Sequence, residues 1–369
     1  MRKLRGLKVA TFASSPERFG SALGSSDVVA VVPPLRGGGG LKRLERRVRI
    51  ATTLGGWGNT YPTSWPYSEG TAEILDGLRP FAPFNAIVAR SFLAPFVDQF
   101  RALGPVILDA EDAEHIVVKE LRGLSHSRLS RAVHPSTVHA MTALMRRFYP
   151  KADEVWLPSS LDAHAVRELV PEANVMVVPN VVAIGPRPTL PSDREGKTIL
   201  FVGNRAYPPN ESAVNELVHH IFPRIVNAIP TAVLQIVGKE GEVVFAPSNS
   251  VQYVGEVPSL DTYYDGARIA VLPVRHGTGP KLKVIEALAQ GVPIIATSKA
   301  ISGLDLRPGI DVLVAESPSD LADLAITLLR DDTLADKLAR AGRKAAEAGY
   351  SMEALDLALS YSQVARTPS

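Results

Sequence analysis

Residues 269–297 read Ile269-Ala-Val-Leu-Pro-Val-Arg-His-Gly-Thr-Gly-Pro-Lys-Leu-Lys-Val-Ile-Glu-Ala-Leu-Ala-Gln-Gly-Val-Pro-Ile-Ile-Ala-Thr297. The apolar run Ile269–Leu272 stops at a proline and has the length of a buried strand. A glycine-bearing loop follows. The spacing then predicts a helix over roughly Lys281 to Gln290, which Gly291 and Pro293 end before the next strand, Ile294–Thr297. Strand, helix and strand in that order define a parallel sheet covered on both faces.

The same alternation extends outward from this stretch. Thr198–Val202 ends at Gly203, and Ala232–Val237 ends at Gly238. Between them, apolar residues from Val214 to Ile229 recur at helical spacing, with Pro223 expected to kink or restart the helix. Residues 320–348 are Ala/Leu-rich and read as helical. In the first half, Lys8–Phe12, Val28–Val32, Ala86–Val88, Val106–Leu108, Val155–Leu157 and Val175–Val178 are short strand-like runs. Two doubly wound α/β domains satisfy this pattern, and a ligand is then expected beyond the carboxyl ends of the strands, in the cleft between domains. The proline-rich stretch 183–197 reads as a linker. The expected divisions are 1–185, 195–349 and a closing segment 350–369, helical from about Met352 to Val364.

Composition narrows the chemistry. The 369 residues contain no cysteine, which excludes disulfides, thiolate metal sites and a cysteine nucleophile. No apolar run reaches the ~20 residues that span a bilayer, and the basic start reads as a first strand and not as a leader; a cytoplasmic chain is expected. Residues 1–150 carry 20 Lys+Arg against 12 Asp+Glu, whereas residues 151–369 carry 20 against 26. The basic half suits an anionic partner, a membrane surface among them, or is a solvated surface.

Within the opening stretch, Gly277 and Gly279 allow a ligand close to the backbone, and the helix start behind them offers free N–H groups to an anion. Lys281 and Lys283 add positive charge there, against the helix dipole, so they call for a counter-anion, of which a diphosphate is the natural candidate, or for simple solvation of a basic turn. Glu286, further along the helix, could hold the hydroxyls of a ribose.

This stretch is similar to the donor-site signature of family 4 of the retaining glycosyltransferases, whose fold is called GT-B. The resemblance also covers Phe201-Val-Gly-Asn204, Pro209-Asn210, Leu234–Gly238, Tyr253–Glu256, Ser302-Gly-Leu304, Gly309–Val314 and Ala341-Gly-Arg343. In the first half it is confined to Leu108–Glu111, Ala152–Val155, Pro158–Ser160 and Val178–Asn180. It implies two Rossmann-like domains, the N-terminal one for the acceptor and the C-terminal one for a UDP- or GDP-type sugar. Glu286 matches the glutamate that holds the ribose, while the family's other glutamate, which contacts sugar hydroxyls, is replaced by Thr278. Gly203 and Arg205 match the loop that neutralises the leaving group; its usual second basic residue is missing, and Lys281 or Lys283 would substitute. Val254 and Glu256 match the loop under the base, and Gly279 would lie beneath the transferred sugar. Lys281 would face the diphosphate. Neither a divalent metal nor a cofactor is implied, and no Asp-x-Asp pattern occurs.

For the acceptor side, Trp57 and Trp65 lie among glycines and prolines, suited to stacking on a sugar or apolar acceptor, or to packing within their own loop. Asp109 and His115 follow a strand end and are candidates for contact with the reacting sugar or acceptor hydroxyl. Acidic residues also favour the first turn of a helix for structural reasons alone. The reading is therefore a glycosyltransferase with a nucleotide-sugar donor and a hydroxyl acceptor. Alternatives are a nucleotide-sugar 2-epimerase and a non-catalytic nucleotide-sugar binder. Nucleic acid is not an expected partner.

Overall fold

The computed structural model describes residues 9–12, 28–32, 68–84, 86–116, 120, 128–186, 188–241 and 250–364. The chain divides into two compact units, residues 1–178 with 359–369, and residues 179–358.

In the first unit, β1 (Val9–Phe12) pairs in parallel with β2 (Val28–Val32). After helix α1 (Ser68–Leu78) comes a second parallel sheet in sequential order, from β3 (Ile87–Arg90) through β4 (Val106–Asp109) and β5 (Glu154–Leu157) to β6 (Val175–Val177). Helices α2 (Val97–Arg101), α3 (Arg128–Phe148) and α4 (Ser160–Leu169) connect these strands. The central strands β4 and β5 read as near-continuous apolar runs because both faces of the sheet are covered. Val106, Ile107, Leu108 and Val155 are fully buried, and all but Ile107 share one hydrophobic cluster with Phe100, Met145 and Tyr149. Trp156 departs from the core placement its strand position suggests. It is half-buried, and its indole Nε1 donates to Glu154 Oε2 at 2.8 Å, since a buried indole N–H needs an acceptor.

The second unit is a six-stranded parallel sheet. Its strands are β7 (Lys197–Val202), β8 (Ala232–Val237), β9 (Val251–Gly255), β10 (Ile269–Leu272), β11 (Ile294–Ala296) and β12 (Leu313–Val314), in the spatial order β12-β11-β10-β7-β8-β9. Counted from β7, that is the 3-2-1-4-5-6 order of a dinucleotide-binding sheet, and the order reverses between β7 and β10. The loops leaving those two strands therefore flank a crevice. Helix α5 (Pro208–Glu216) follows β7 and passes through a π-turn at Leu217–Ile221 into α6 (Phe222–Ala228), with Pro223 in the new first turn as expected. Helices α7 (Asp261–Gly266) and α8 (Leu282–Ala289) bracket β10.

The helical stretch 320–348 is two helices, not one: α9 (Pro318–Arg330) and α10 (Asp332–Tyr350). Asp331 leaves helical geometry at φ −108° and ψ 91°, and its side chain caps α10 by accepting from Leu334 N–H. The closing helix α11 (Met352–Ser360) is also shorter than its sequence suggests. Beyond it, Ser362 Oγ donates to Glu154 Oε2 at 2.7 Å and Gln363 N–H to Glu154 Oε1 at 2.5 Å, within the first unit. The proline-rich stretch near 188–194 is pinned to the second unit. Arg194 is buried there and donates to the carbonyls of Thr189, Ala267 and Gln290.

Candidate donor site

At the carboxyl end of β10 the chain makes its tight turn through Gly277 (φ 99°) and Gly279 (φ 67°). Both lie in the left-handed region, where a Cβ is strained, so the glycines are a backbone requirement. Lys281 then takes the position before α8, and its Nζ donates to the carbonyls of Thr278 (2.8 Å) and Gly279 (2.6 Å). The lysine thus closes the turn it follows. Arg275 fixes the turn from the other side, with paired hydrogen bonds to Glu216 at 2.7 and 2.6 Å. Those bonds hold its guanidinium above its ordinary value.

The loop after β7 meets this turn across the crevice. A Cβ on Gly277 would lie 3.2 Å from the hydroxyl of Tyr207. Lys283 reaches the other way: its Nζ donates to Asn210 Oδ1 at 2.6 Å and lies 4.5 Å from the centroid of the Phe201 ring. Burial lowers this amine from its ordinary value to about 7. Arg205 is buried, forms two hydrogen bonds with Glu211 at 2.8 and 3.2 Å, and stacks on Tyr253. Its positive charge is thus matched inside the protein.

Glu286 lies one turn along α8 from Lys283, on the same side of the helix, and its charge acts on that amine. It accepts from the Tyr264 hydroxyl at 3.0 Å and lines a concavity of about 320 Å³ together with Val182, Asp261, Leu282 and Gln290. Burial and the adjacent carboxylate push the Tyr264 hydroxyl well above its ordinary range, so it stays protonated and donates. Val254 is half-buried at the end of β9, and Glu256, just past it, is exposed. Thr278 is half-buried in the turn, where its carbonyl serves Lys281. Gly203, Asn210 and Lys283 thus meet at the end of β7, Lys281, Thr278 and Gly279 meet in the turn after β10, and Glu286 lines a concavity with Tyr264, Leu282 and Gln290.

In the first unit, Asp109 ends β4 directly opposite Arg90, which ends β3. Arg90 Nη1 lies 3.2 Å from Asp109 Oδ2, and the same guanidinium pairs with Glu111. Glu114, half-buried nearby, accepts from the Ser91 hydroxyl and, at 3.3 Å, from the Tyr149 hydroxyl. Burial raises its carboxyl above the usual range. His115 follows it, half-buried. Trp57, Trp65 and the basic segment 41–49 lie outside the described residues. Among the described residues no helix is long and apolar enough to cross a membrane, and no cluster of His, Asp and Glu is arranged to hold a metal ion.

Tyr264, Tyr207 and the Arg275–Glu216 pair are absent from the sequence reading. Tyr264 carries no motif, and its partner is 22 positions away in the chain. Asn210 belongs to a quoted doublet, but its link to Lys283 spans 73 positions.

Residues 196–331 match the family described as glycosyl transferases group 1. Among solved structures, Anabaena HepE in complex with UDP is similar with a TM-score of 0.62 at 13% identity, over 96% of this chain and 98% of that one. TarM of S. aureus, solved with Fondaparinux, alpha-GlcNAc-glycerol and UDP, gives 0.61 at 13% identity over 81% of this chain and 59% of that one. The chain thus spans about three fifths of the length of TarM. Sucrose-phosphate synthase from Thermosynechococcus elongatus gives 0.60 at 19% identity, over 79% and 77%. No curated protein matches the chain in sequence. The fold is that of the GT-B glycosyltransferases.

Proposed function

We propose that the protein transfers a sugar from a nucleoside diphosphate donor to a hydroxyl acceptor, with retention of configuration at the anomeric carbon. The observation that carries this reading is the crevice between the ends of β7 and β10, where a two-glycine turn, two lysines and a helix start converge inside the group 1 domain. In the reaction, the bond between the anomeric carbon and the phosphate oxygen breaks while the acceptor oxygen bonds to that carbon on the same face. The acceptor proton passes to the departing phosphate. Negative charge grows on the diphosphate, and fixed N–H groups and ammonium groups stabilise it most where it grows most; each well-placed donor is worth about 3 kcal/mol of barrier.

Glu286 is assigned the ribose hydroxyls, with Tyr264 holding its carboxylate in place. Val254 and Glu256 are assigned to the base, and Gly279 to the space under the sugar. Thr278 offers a hydroxyl where a carboxylate would accept two bonds, which lowers the demand for a sugar with a fixed pair of donors. Asp109 and His115 are assigned to the acceptor side.

Thermal unfolding with the diphosphates of uridine, guanosine, adenosine and thymidine tests the donor half of the reading, since a ligand that binds only the folded chain raises its stability with affinity. At least one is expected to shift the midpoint by several degrees. Flat curves with all four would overturn it. Incubation with the corresponding nucleotide sugar then tests the reaction: product should require an added acceptor, and free sugar from donor alone would identify an epimerase instead.

A further inference from the structure

The second unit carries another concavity, of about 330 Å³, that shares no lining residue with the one holding Glu286. Its inner wall is apolar or bare backbone: Pro188 and Leu190 of the proline-rich stretch, Gly291 after α8, and Ala339 of α10. Gly291 lets these segments meet, because a Cβ there would lie 2.6 Å from the Pro188 ring, at a φ of 62°. The rim is cationic. Helix α10 contributes Arg340, Arg343 and Lys344 against a single carboxylate, Glu347. Arg343 is committed: its side chain is 11% exposed and donates to Glu347 at 2.6 Å, to the Gly185 carbonyl at 2.7 Å and to the Ala289 carbonyl. Arg340 and Lys344 are exposed and have no hydrogen-bond or ion-pair partner among the described residues. Behind the wall stands a further cation. A Cβ on Gly291 would lie 3.9 Å from Nη2 of Arg194, which is buried and donates only to carbonyls. Asp265 and Asp336 favour its charge and Arg268 opposes it, but no carboxylate is paired with it.

We propose that this cavity is a ligand site of its own, in which Arg340 and Lys344 bind the phosphate of a small phosphomonoester. The two residues are one turn apart on α10, so their Cβ atoms lie about 6 Å apart on one side of the helix, within reach of a single phosphate. Without a counter-ion they repel each other, and the field of Arg194 adds to the repulsion. The charges also match. Arg343 and Glu347 cancel, which leaves two positive charges at the rim, and a phosphomonoester carries about −1.5 to −2 near neutral pH. The guanidinium offers a planar fork to two phosphate oxygens, and the ammonium a point charge to the third. The apolar wall suits the carbon body of the ligand, and the volume lies at the small end of metabolite sites. A concave wall of this size favours a soluble molecule over the flat surface of a bilayer. The site stands apart from the donor reading and does not rest on it.

Titration calorimetry of the full chain with phenyl phosphate tests this, at low salt because exposed charges are screened within ~10 Å at 0.1 M. Phenyl phosphate should bind saturably at a single site, and inorganic phosphate should displace it. The double variant Arg340→Gln, Lys344→Gln should bind it at least about tenfold more weakly, since two hydrogen bonds to a charged group are lost. Without ligand that variant should unfold at the same temperature as the wild type or higher, because the repulsion along α10 is relieved. Its affinity for UDP should be unchanged. Acetylation of Lys344 by acetic anhydride, read by mass spectrometry on the wild type, should slow several-fold when phenyl phosphate is present, while that of other exposed lysines does not. No saturable binding to the wild type, binding that the double variant keeps, or an unprotected Lys344 overturns the proposal. So does a double variant that loses UDP and phenyl phosphate together, because the two concavities would then act as one site. If phenyl phosphate binds as described but no nucleoside diphosphate does, the donor reading falls and this site remains.

Discussion

The ends of the two larger parallel sheets carry opposite chemistry. In the first unit the carboxyl ends of β3 and β4 hold Arg90 between Asp109 and Glu111, with a half-buried Glu114 nearby. In the second unit the ends of β7 and β10 hold glycines, backbone N–H groups and the two lysines 281 and 283. One end thus presents carboxylates around a single guanidinium, the other backbone N–H groups and ammonium groups. The titration shifts mirror each other: desolvation raises the Glu114 carboxyl and lowers the Lys283 amine, so at each end the charged form of one group is disfavoured.

The largest expected effect lies on the anion side. Lys283→Met should reduce sugar-transfer turnover about 10²–10³-fold, the usual consequence of removing one donor aimed at a developing negative charge; steady-state rates with a saturating nucleotide sugar check this. Next comes Glu286→Ala, which removes charged hydrogen bonds to the ribose and should weaken diphosphate binding by about 10–100-fold, read by calorimetry. If Lys283→Met and Glu286→Ala leave kinetics and binding unchanged, the contrast between the two sheet ends has no functional content. On the other side, Asp109→Asn should lower turnover roughly tenfold at unchanged donor affinity, with an unfolding midpoint close to that of the wild type, because the Arg90 pair is half-exposed and worth at most about 1 kcal/mol.

The smallest effect is one of stability. Glu114 has its folded value raised, so its contribution is fully present below the unfolded value and is lost as pH rises through the folded one. Lys283 runs in the other direction. Its folded value of about 7 lies below the unfolded one, the unfolded chain binds more protons between them, and stability should rise as pH climbs from 7 toward 10. Glu114→Gln should therefore gain a few degrees of midpoint on the wild type as pH rises from 4 to 8. Lys283→Met should lose its advantage over the wild type between pH 7 and 10. Differential scanning calorimetry across pH separates the two trends, and parallel curves for both variants would remove the mirror symmetry.

The two units also differ in how far their chains can be read. In the second, strand, glycine turn, helix and strand are contiguous, and the Lys281–Glu286 spacing puts its chemistry within two helical turns. In the first, the ion pairs join Arg90 to Asp109 across neighbouring strands, and Glu114 finds Ser91 and Tyr149 at separations of 23 and 35 residues. Local pattern carries no record of such partners. The break at Asp331 shows the same limit on a small scale, since an aspartate capping the helix that begins one residue later looks, in a helix-rich stretch, like one more polar surface residue.

By itself the sequence determined the alternation of strand and helix and the glycine-bearing loop at residues 277–279, because backbone preference and apolar periodicity act over a few residues. Which partners Lys281 and Lys283 find was decided only by tertiary structure. Lys281 and Lys283 are near twins in sequence, two positions apart on one helix start. Their difference arises because one finds the carbonyls of its own turn, while the other is carried across the crevice to Asn210, Phe201 and the bare backbone of Gly203.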